Sequence, residues 1–171
     1  MDYLSDALNN FKCYKDIDIE TFLNSKALEF IKRGLCSVYL IVNEQAFDKG
    51  YIQIEAYFTL SHKTLIPEGI SKNKIKTVSG FNNTTSIHFV LIGQLGKYIQ
   101  KTNDNIISSK ITGKEILDYA FDIIRTASDL IPCRCVLVEC KEDQKVQKVY
   151  KDYNFSFLQY DNHHYQFYKR I

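Results

Sequence analysis

Val136-Leu137-Val138-Glu139-Cys140, followed by Val149-Tyr150-Lys151-Asp152-Tyr153-Asn154-Phe155, is the stretch on which the fold turns. Its first part belongs to an apolar run of the kind a doubly buried strand requires, and Cys133 to Glu139 is the predicted strand. In the second part Val146, Val149, Tyr150 and Tyr153 share one face of a short helix. Asn154 stands where that helix ends, and Asn is the commonest residue after Gly in the left-handed backbone that terminates helices. Phe155 to Tyr168 then reads as an aromatic hairpin turning at Asp161-Asn162.

Working upstream, Thr112 and Glu115 have capping-box spacing, and Ile116, Leu117, Ala120, Phe121 and Ile124 form one apolar stripe. Together they predict a helix of about four turns. Before it, Ile87 to Leu91 is an apolar strand broken only by His88 and ended by Gly93-Gln94-Leu95-Gly96. The two glycines allow another backbone or a ligand to come close. Strand, helix and strand from Ile87 to Glu139 predict a right-handed βαβ crossover with parallel strands at the centre of a mixed sheet.

Nearer the N-terminus, Asp16 or Asp18 caps a predicted amphipathic helix whose apolar positions are Ile19, Phe22, Leu23, Ala27, Phe30 and Ile31, ending at Gly34. Leu35–Val42 and Tyr51–Thr59 read as strands, with Asn43 to Gly50 as the turn between them. Ser61–Thr85, with Pro67, Gly69, Gly80 and Asn82-Asn83-Thr84-Thr85, reads as a mobile loop, and Lys101–Lys110 as a second, polar one. No repeat or domain boundary interrupts the order, so a single α/β domain over residues 1–171 is expected.

Composition narrows the class. At 45% hydrophobic, with 12 Tyr and 11 Phe against 7 Gly and 2 Pro, the chain has enough apolar material for a core and lacks the signature of disorder or collagen. A net charge of +2 is too even to argue for nucleic acid or an anionic membrane. The N-terminus lacks a signal-peptide pattern and no apolar run is long enough to span a bilayer, so a cytoplasmic protein with no membrane partner is expected. Cys13, Cys36, Cys133, Cys135 and Cys140 are expected as reduced thiols, with Cys133 and Cys135 packing in the core. His163 and His164 are adjacent and point to opposite faces of a strand, so no metal site is proposed.

This pattern resembles the GNAT family of N-acetyltransferases. The segment Val149–Phe155 is similar to the family's "FYxxxGF" ending, with Val149 for Phe and Asn154 for Gly. Leu91-Ile92-Gly93-Gln94-Leu95-Gly96 resembles the central strand whose end splays from its parallel neighbour. Gly113 matches the last Gly of the family's Q/R-x-x-G-x-G/A loop, which puts Ser108 at the Q/R position and Ile111 at the middle Gly.

The resemblance implies a GNAT fold: a mostly antiparallel mixed sheet, a parallel splayed pair, and flanking helices. It implies acetyl-coenzyme A as co-substrate, with pantetheine against Gln94, Leu95 and Gly96. The pyrophosphate would lie over Ser108, Ser109, Lys110, Thr112, Gly113 and Lys114, where a helix start offers N–H groups and partial positive charge. Tyr150 would protonate the leaving thiolate, since a phenol near pKa ~10 can give its proton to a thiolate whose acid is near ~8.5. The N–H groups near Leu95 would hold the oxyanion.

Glu55 and His88 interrupt apolar strand runs and are candidate bases. They read first as the outward residue of an alternating strand and a hydrogen-bonded core histidine, and the resemblance does not require a dedicated base, since many family members use a water chain. The acceptor would be an amine on a small molecule, a protein or aminoacyl-tRNA. Phe11-Lys12-Cys13, Ile17–Leu23 and Ala56–Ser61 are similar to the acetyltransferase toxins of toxin–antitoxin modules, which adds an antitoxin as a candidate partner; a second copy of the chain is a separate candidate. Lys72, Lys74 and Lys76 would meet tRNA phosphates or simply be solvated. A catalytically silent coenzyme A-binding module is the alternative from another class.

Overall fold

The computed structural model describes residues 3–171. The stretch that opens the sequence argument forms β6 (Cys135–Cys140) and α7 (Gln144–Asp152). β6 runs parallel to β3 (Ile87–Lys97) through the rungs Val90–Val136, Leu91–Leu137 and Ile92–Val138. On its other side β6 pairs antiparallel with β8 (His164–Arg170), which pairs in turn with β7 (Ser156–Asp161). With β1 (Ser37–Val42) and β2 (Ile54–Leu65), the hydrogen-bonded order is β1-β2-β3-β6-β8-β7. This is the mostly antiparallel α/β sheet with one parallel pair and flanking helices that the sequence predicts.

By backbone proximity the chain forms two compact units. One comprises residues up to Thr59 together with Gln94–Leu117, and the other Leu60–Gly93 with Asp118–Ile171. In the first unit Tyr3–Asn10 forms α1, which the sequence reading did not anticipate. The predicted amphipathic helix is α2 (Ile17–Thr21), a π-helical turn Phe22–Lys26, and α3 (Ala27–Lys32). Asp16 caps it by accepting from the Asp18 N–H, and Gly34 follows it with φ 67°, a left-handed angle that glycine adopts at little cost. Phe11, Phe22, Leu23, Ala27 and Tyr57 form its core with α1, and the Tyr57 hydroxyl donates to Ile19 O at 2.6 Å. Asn43–Gly50, expected as a turn, holds the short helix α4 (Glu44–Asp48), capped by Asn43. Lys101–Lys110, expected as loop, contains most of the hairpin of β4 (Ile99–Lys101) and β5 (Ile106–Ser108).

In the second unit the largest departure is Ser61–Thr85. Instead of one long loop it contains the end of β2 and α5 (Lys72–Ser79), capped by Ser71 and closed by left-handed Gly80. Val78 of α5 joins Leu65, Ile87, Phe89, Cys135, Leu137 and Leu158 in one core cluster. Three lysines in five positions hide the helical pattern of this segment, because only Ile75 and Val78 face the sheet. At the other end of the chain Asn154 takes φ 65°, as its position after α7 predicts. The final hairpin turns at Asn162 and His163, both left-handed at φ 46° and 63°, one residue later than expected. α6 (Gly113–Leu130) contributes its first turn to the first unit and the rest to the second. All five cysteines are free thiols, with Cys135 fully buried and Cys133 half-buried. No helix of the described residues is long and apolar enough to cross a membrane.

Candidate active site

In the first unit, the loop before α6 is fixed from two directions. Lys97 Nζ donates to Ser109 O and Ile111 O, both at 3.1 Å, which turns these carbonyls toward β3. Glu55 on β2 accepts from Asn43 Nδ2 at 2.8 Å and from the Ser109 hydroxyl, whose oxygen in turn accepts the Ile111 N–H at 3.2 Å. Glu55 is therefore a brace within the fold, half-buried between two donors. The capping box forms as predicted: the Thr112 N–H and hydroxyl both donate to Glu115 Oε2, at 2.8 and 2.7 Å, and the Glu115 N–H donates to Thr112 Oγ1. Ser108, Lys110 and Lys114 are exposed and Gly113 is half-buried. The Ser109 and Thr112 hydroxyl hydrogens are thus spent within the chain, whereas the N–H groups of Lys110 and Gly113 have no acceptor among the described residues.

At the end of β3, the Gln94 N–H donates to the Thr59 hydroxyl at 2.9 Å, a side chain in place of a strand carbonyl. Gly96 is buried, and a Cβ placed there would collide with Ile19 Cγ2, so the close approach its glycine permits is made by the α2 side chain. Leu95 and Gln94 are half-buried.

In the second unit, β3 and β6 are paired only as far as Ile92–Val138, although β3 continues to Lys97 and β6 to Cys140. Tyr150 lies on the buried face of α7, 6% exposed, with its ring against Phe155 and Phe167 at 5.7 and 6.2 Å. Burial, assisted by the Cys140 thiol, pushes its pKa far above the ordinary phenol value. Its hydroxyl has no hydrogen-bond partner among the described residues, yet no fully buried side-chain polar atom there lacks one. The oxygen is therefore not wholly sealed from solvent, and the hydroxyl carries its proton at every physiological pH. His88 is exposed, not in the core, and is held between the Thr64 and Ser86 hydroxyls at 3.0 and 3.2 Å. Lys74 lies on α5, where its Nζ donates to Leu158 O at 2.8 Å and sits 5.0 Å from the Phe157 ring centre.

One polar group in this unit went unread in the sequence. Gln166, 2% exposed, donates to Glu139 Oε1 at 2.6 Å and accepts from Gln159 Nε2 at 2.8 Å. Lys63 Nζ stands 3.5 Å from the same Glu139 oxygen. Lys63 and Gln159 also line a groove of about 750 Å³ with Ile66, Lys74 and Tyr160. The available signal was Glu139 itself, the one charge inside the run Val136–Cys140.

The sequence matches no protein-family model and no curated protein. Solved structures do resemble the chain. AtaT complexed with acetyl-methionyl-tRNAfMet superposes with a TM-score of 0.72 at 18% identity, covering 95% of this chain and 86% of that one. AtaTR bound with acetyl-CoA gives 0.71 at 18% identity, over 97% and 89% of the two chains. A Tyr-to-Phe mutant of KacT gives 0.73 at 16% identity, over 95% and 86%. The fold of this chain is accordingly the fold of AtaT and KacT, over nearly its whole length.

Proposed function

We propose that the chain is an acetyl-CoA-dependent N-acetyltransferase that transfers an acetyl group to a primary amine by direct attack. The observation that carries this reading is the near full-length likeness to toxins solved with acetyl-CoA and with an acetylated aminoacyl-tRNA. In this reading the N–H groups of Lys110 and Gly113, which have no acceptor among the described residues, and the Lys110 ammonium receive the pyrophosphate, in the way helix starts generally receive anions. Ser108, Ser109, Thr112 and Lys114 shape the same turn, and Gln94 and Leu95 receive the pantetheine, whereas Gly96 lies under Ile19 and shapes the strand end.

The amine lone pair attacks the thioester carbonyl, and the Leu95 N–H stabilises the oxyanion. As the carbon–sulfur bond breaks, Tyr150 gives its proton to sulfur. Its raised pKa keeps the hydroxyl in the protonated form before the reaction, and the transfer to sulfur has to be concerted with carbon–sulfur cleavage because burial also weakens the phenol as an acid. Tyr-to-Phe mutants of both AtaT and KacT are among the similar structures, which accords with a working tyrosine in this fold.

The acceptor favoured by the likeness is aminoacyl-tRNA. The toxin reading is supported further by AtaT solved with the C-terminus of the antitoxin AtaR and by the KacTA–DNA complex. The direct test has two arms. Calorimetry should detect acetyl-CoA binding below near-millimolar concentration, and labelled acetyl-CoA should mark methionyl-tRNA in the presence of the chain. Absence of binding would overturn the enzyme reading. Binding with transfer to another amine and none to methionyl-tRNA would overturn only the acceptor.

A further inference from the structure

We infer that Glu139 is the residue that receives the ammonium group of the acceptor, on the sheet face opposite the leaving-group acid. The inference rests on the acetyltransferase reading above and adds the acceptor side to it.

The register separates the two faces. Val138 pairs with Phe167 and Glu139 with Gln166, so strand alternation sends these pairs to opposite sides. Tyr150 packs on Phe167, on the side of Val138 and Cys140. Glu139 lies on the side of Leu137, one residue beyond the last parallel rung Ile92–Val138. A nucleophile and a leaving group must approach a thioester carbon from different directions, and a carboxylate opposite the acid is placed for the nucleophile.

The chemistry of the position matches. Gln166 is buried with both ends of its amide engaged, so it holds Glu139 Oε1 in one place. Glu139 Oε2 has no partner among the described residues, and the side chain is 23% exposed. A primary ammonium already stands beside this carboxylate, that of Lys63 at 3.5 Å, which is long for a charge-assisted bond. Lys63 thus marks where an –NH₃⁺ fits, and it competes with the acceptor for the same charge. Lys63 and Gln159, which touch Glu139 and Gln166, also line a groove with room for the rest of the acceptor. On binding, the ammonium passes one proton to Glu139 or to water there. The freed lone pair forms the carbon–nitrogen bond, the carbon–sulfur pair goes to sulfur with the Tyr150 proton, the second proton lost from nitrogen restores the Tyr150 hydroxyl through water, and the first leaves to solvent.

The test uses n-butylamine as surrogate acceptor and follows thiol release from acetyl-CoA by the full chain. Glu139→Gln keeps the oxygen that Gln166 holds but removes the charge. It should raise the half-saturating amine concentration about 10- to 100-fold, the usual worth of a bond to a charged group, with acetyl-CoA affinity unchanged. Lys63→Met should lower the half-saturating concentration, because it removes the competitor. A merely structural ion pair predicts that both variants shift in the same direction or not at all, and either result would overturn the inference. Normal acetyl-CoA binding with no amine-dependent thiol release by the unaltered chain would also overturn it. Absence of acetyl-CoA binding would instead overturn the function on which it rests.

Discussion

The two units hold their candidate residues by different physics. In the first, the loop before α6 is fixed by directional polar bonds: a lysine across two carbonyls, a glutamate between two donors, and a reciprocal cap. In the second, Tyr150 is fixed by aromatic packing, with Phe155 and Phe167 on its ring. Polar braces set the direction of N–H and C=O groups, which suits a segment that works through its backbone. Aromatic packing sets the position of a ring and keeps its hydroxyl protonated at neutral pH, which suits a group that must hold its proton until the leaving group departs. Substitutions should therefore fail differently in the two units: binding should suffer in the first and turnover in the second.

The largest effect is expected at Tyr150. Phe keeps the ring and its two aromatic contacts and deletes only the hydroxyl, so turnover should fall about 10²–10⁴-fold with acetyl-CoA affinity little changed. Steady-state kinetics beside calorimetry checks this. Unaltered turnover across the pH range would reduce Tyr150 to a core aromatic and erase the contrast between the units.

Next in size is Gly96→Ala. The added Cβ meets Ile19 Cγ2, and Ile19 cannot easily withdraw because its carbonyl accepts the Tyr57 hydroxyl at 2.6 Å. A loss of about 1–3 kcal/mol of stability is expected, the usual cost of overpacking. Chemical denaturation would measure it, and an unchanged midpoint would mean that α2 yields freely.

Lys97 tests the polar side of the comparison. Lys97→Met deletes the donor to Ser109 O and Ile111 O and leaves Thr112 and Glu115 intact. Acetyl-CoA affinity should weaken about tenfold with turnover at saturation retained. Gly113→Val should weaken it more than Lys110→Ala does, since a side chain obstructs backbone contact whereas an exposed charge is partly screened. Equal losses from these two would mean that the loop does not act through its backbone.

What the sequence made legible follows the same division. Apolar periodicity and caps were readable: β6, α6, the Asp16 cap and left-handed Asn154 all lie where local chemistry puts them. α5 was not, because a helix that buries only Ile75 and Val78 among three lysines carries no visible stripe. The braces were not legible either. Glu55 reads from the sequence as a candidate base or outward strand residue, Ser109 as a phosphate contact and Lys97 as an ordinary surface residue, and nothing in their spacing shows that they brace one loop. Nor did the pattern of β6 disclose what Glu139 touches, since its partners come from β2 and β8.

The smallest effect is a pH dependence confined to the first unit. Glu20 is largely buried, which by itself would push its pKa up. The Cys13 N–H at 2.8 Å and Lys12 Nζ at 3.1 Å outweigh that burial and hold its carboxyl below the ordinary value. A carboxyl depressed in the folded state binds its proton more readily when unfolded. Its stabilisation is therefore complete above the unfolded pKa and is lost as pH falls through the folded one. Stability of the chain should thus decline as pH drops below about 5, and Glu20→Gln should flatten part of that decline. The variant should also cost less than about 1 kcal/mol at neutral pH, because Gln keeps an oxygen for the Cys13 N–H and only the partly exposed lysine loses its counter-charge. Urea denaturation of both proteins between pH 3 and 7 would measure it. Parallel curves over that range would show that the Lys12–Glu20–Cys13 cluster sets geometry without storing pH-linked stability, and the polar bracing of the first unit would then be a matter of direction alone.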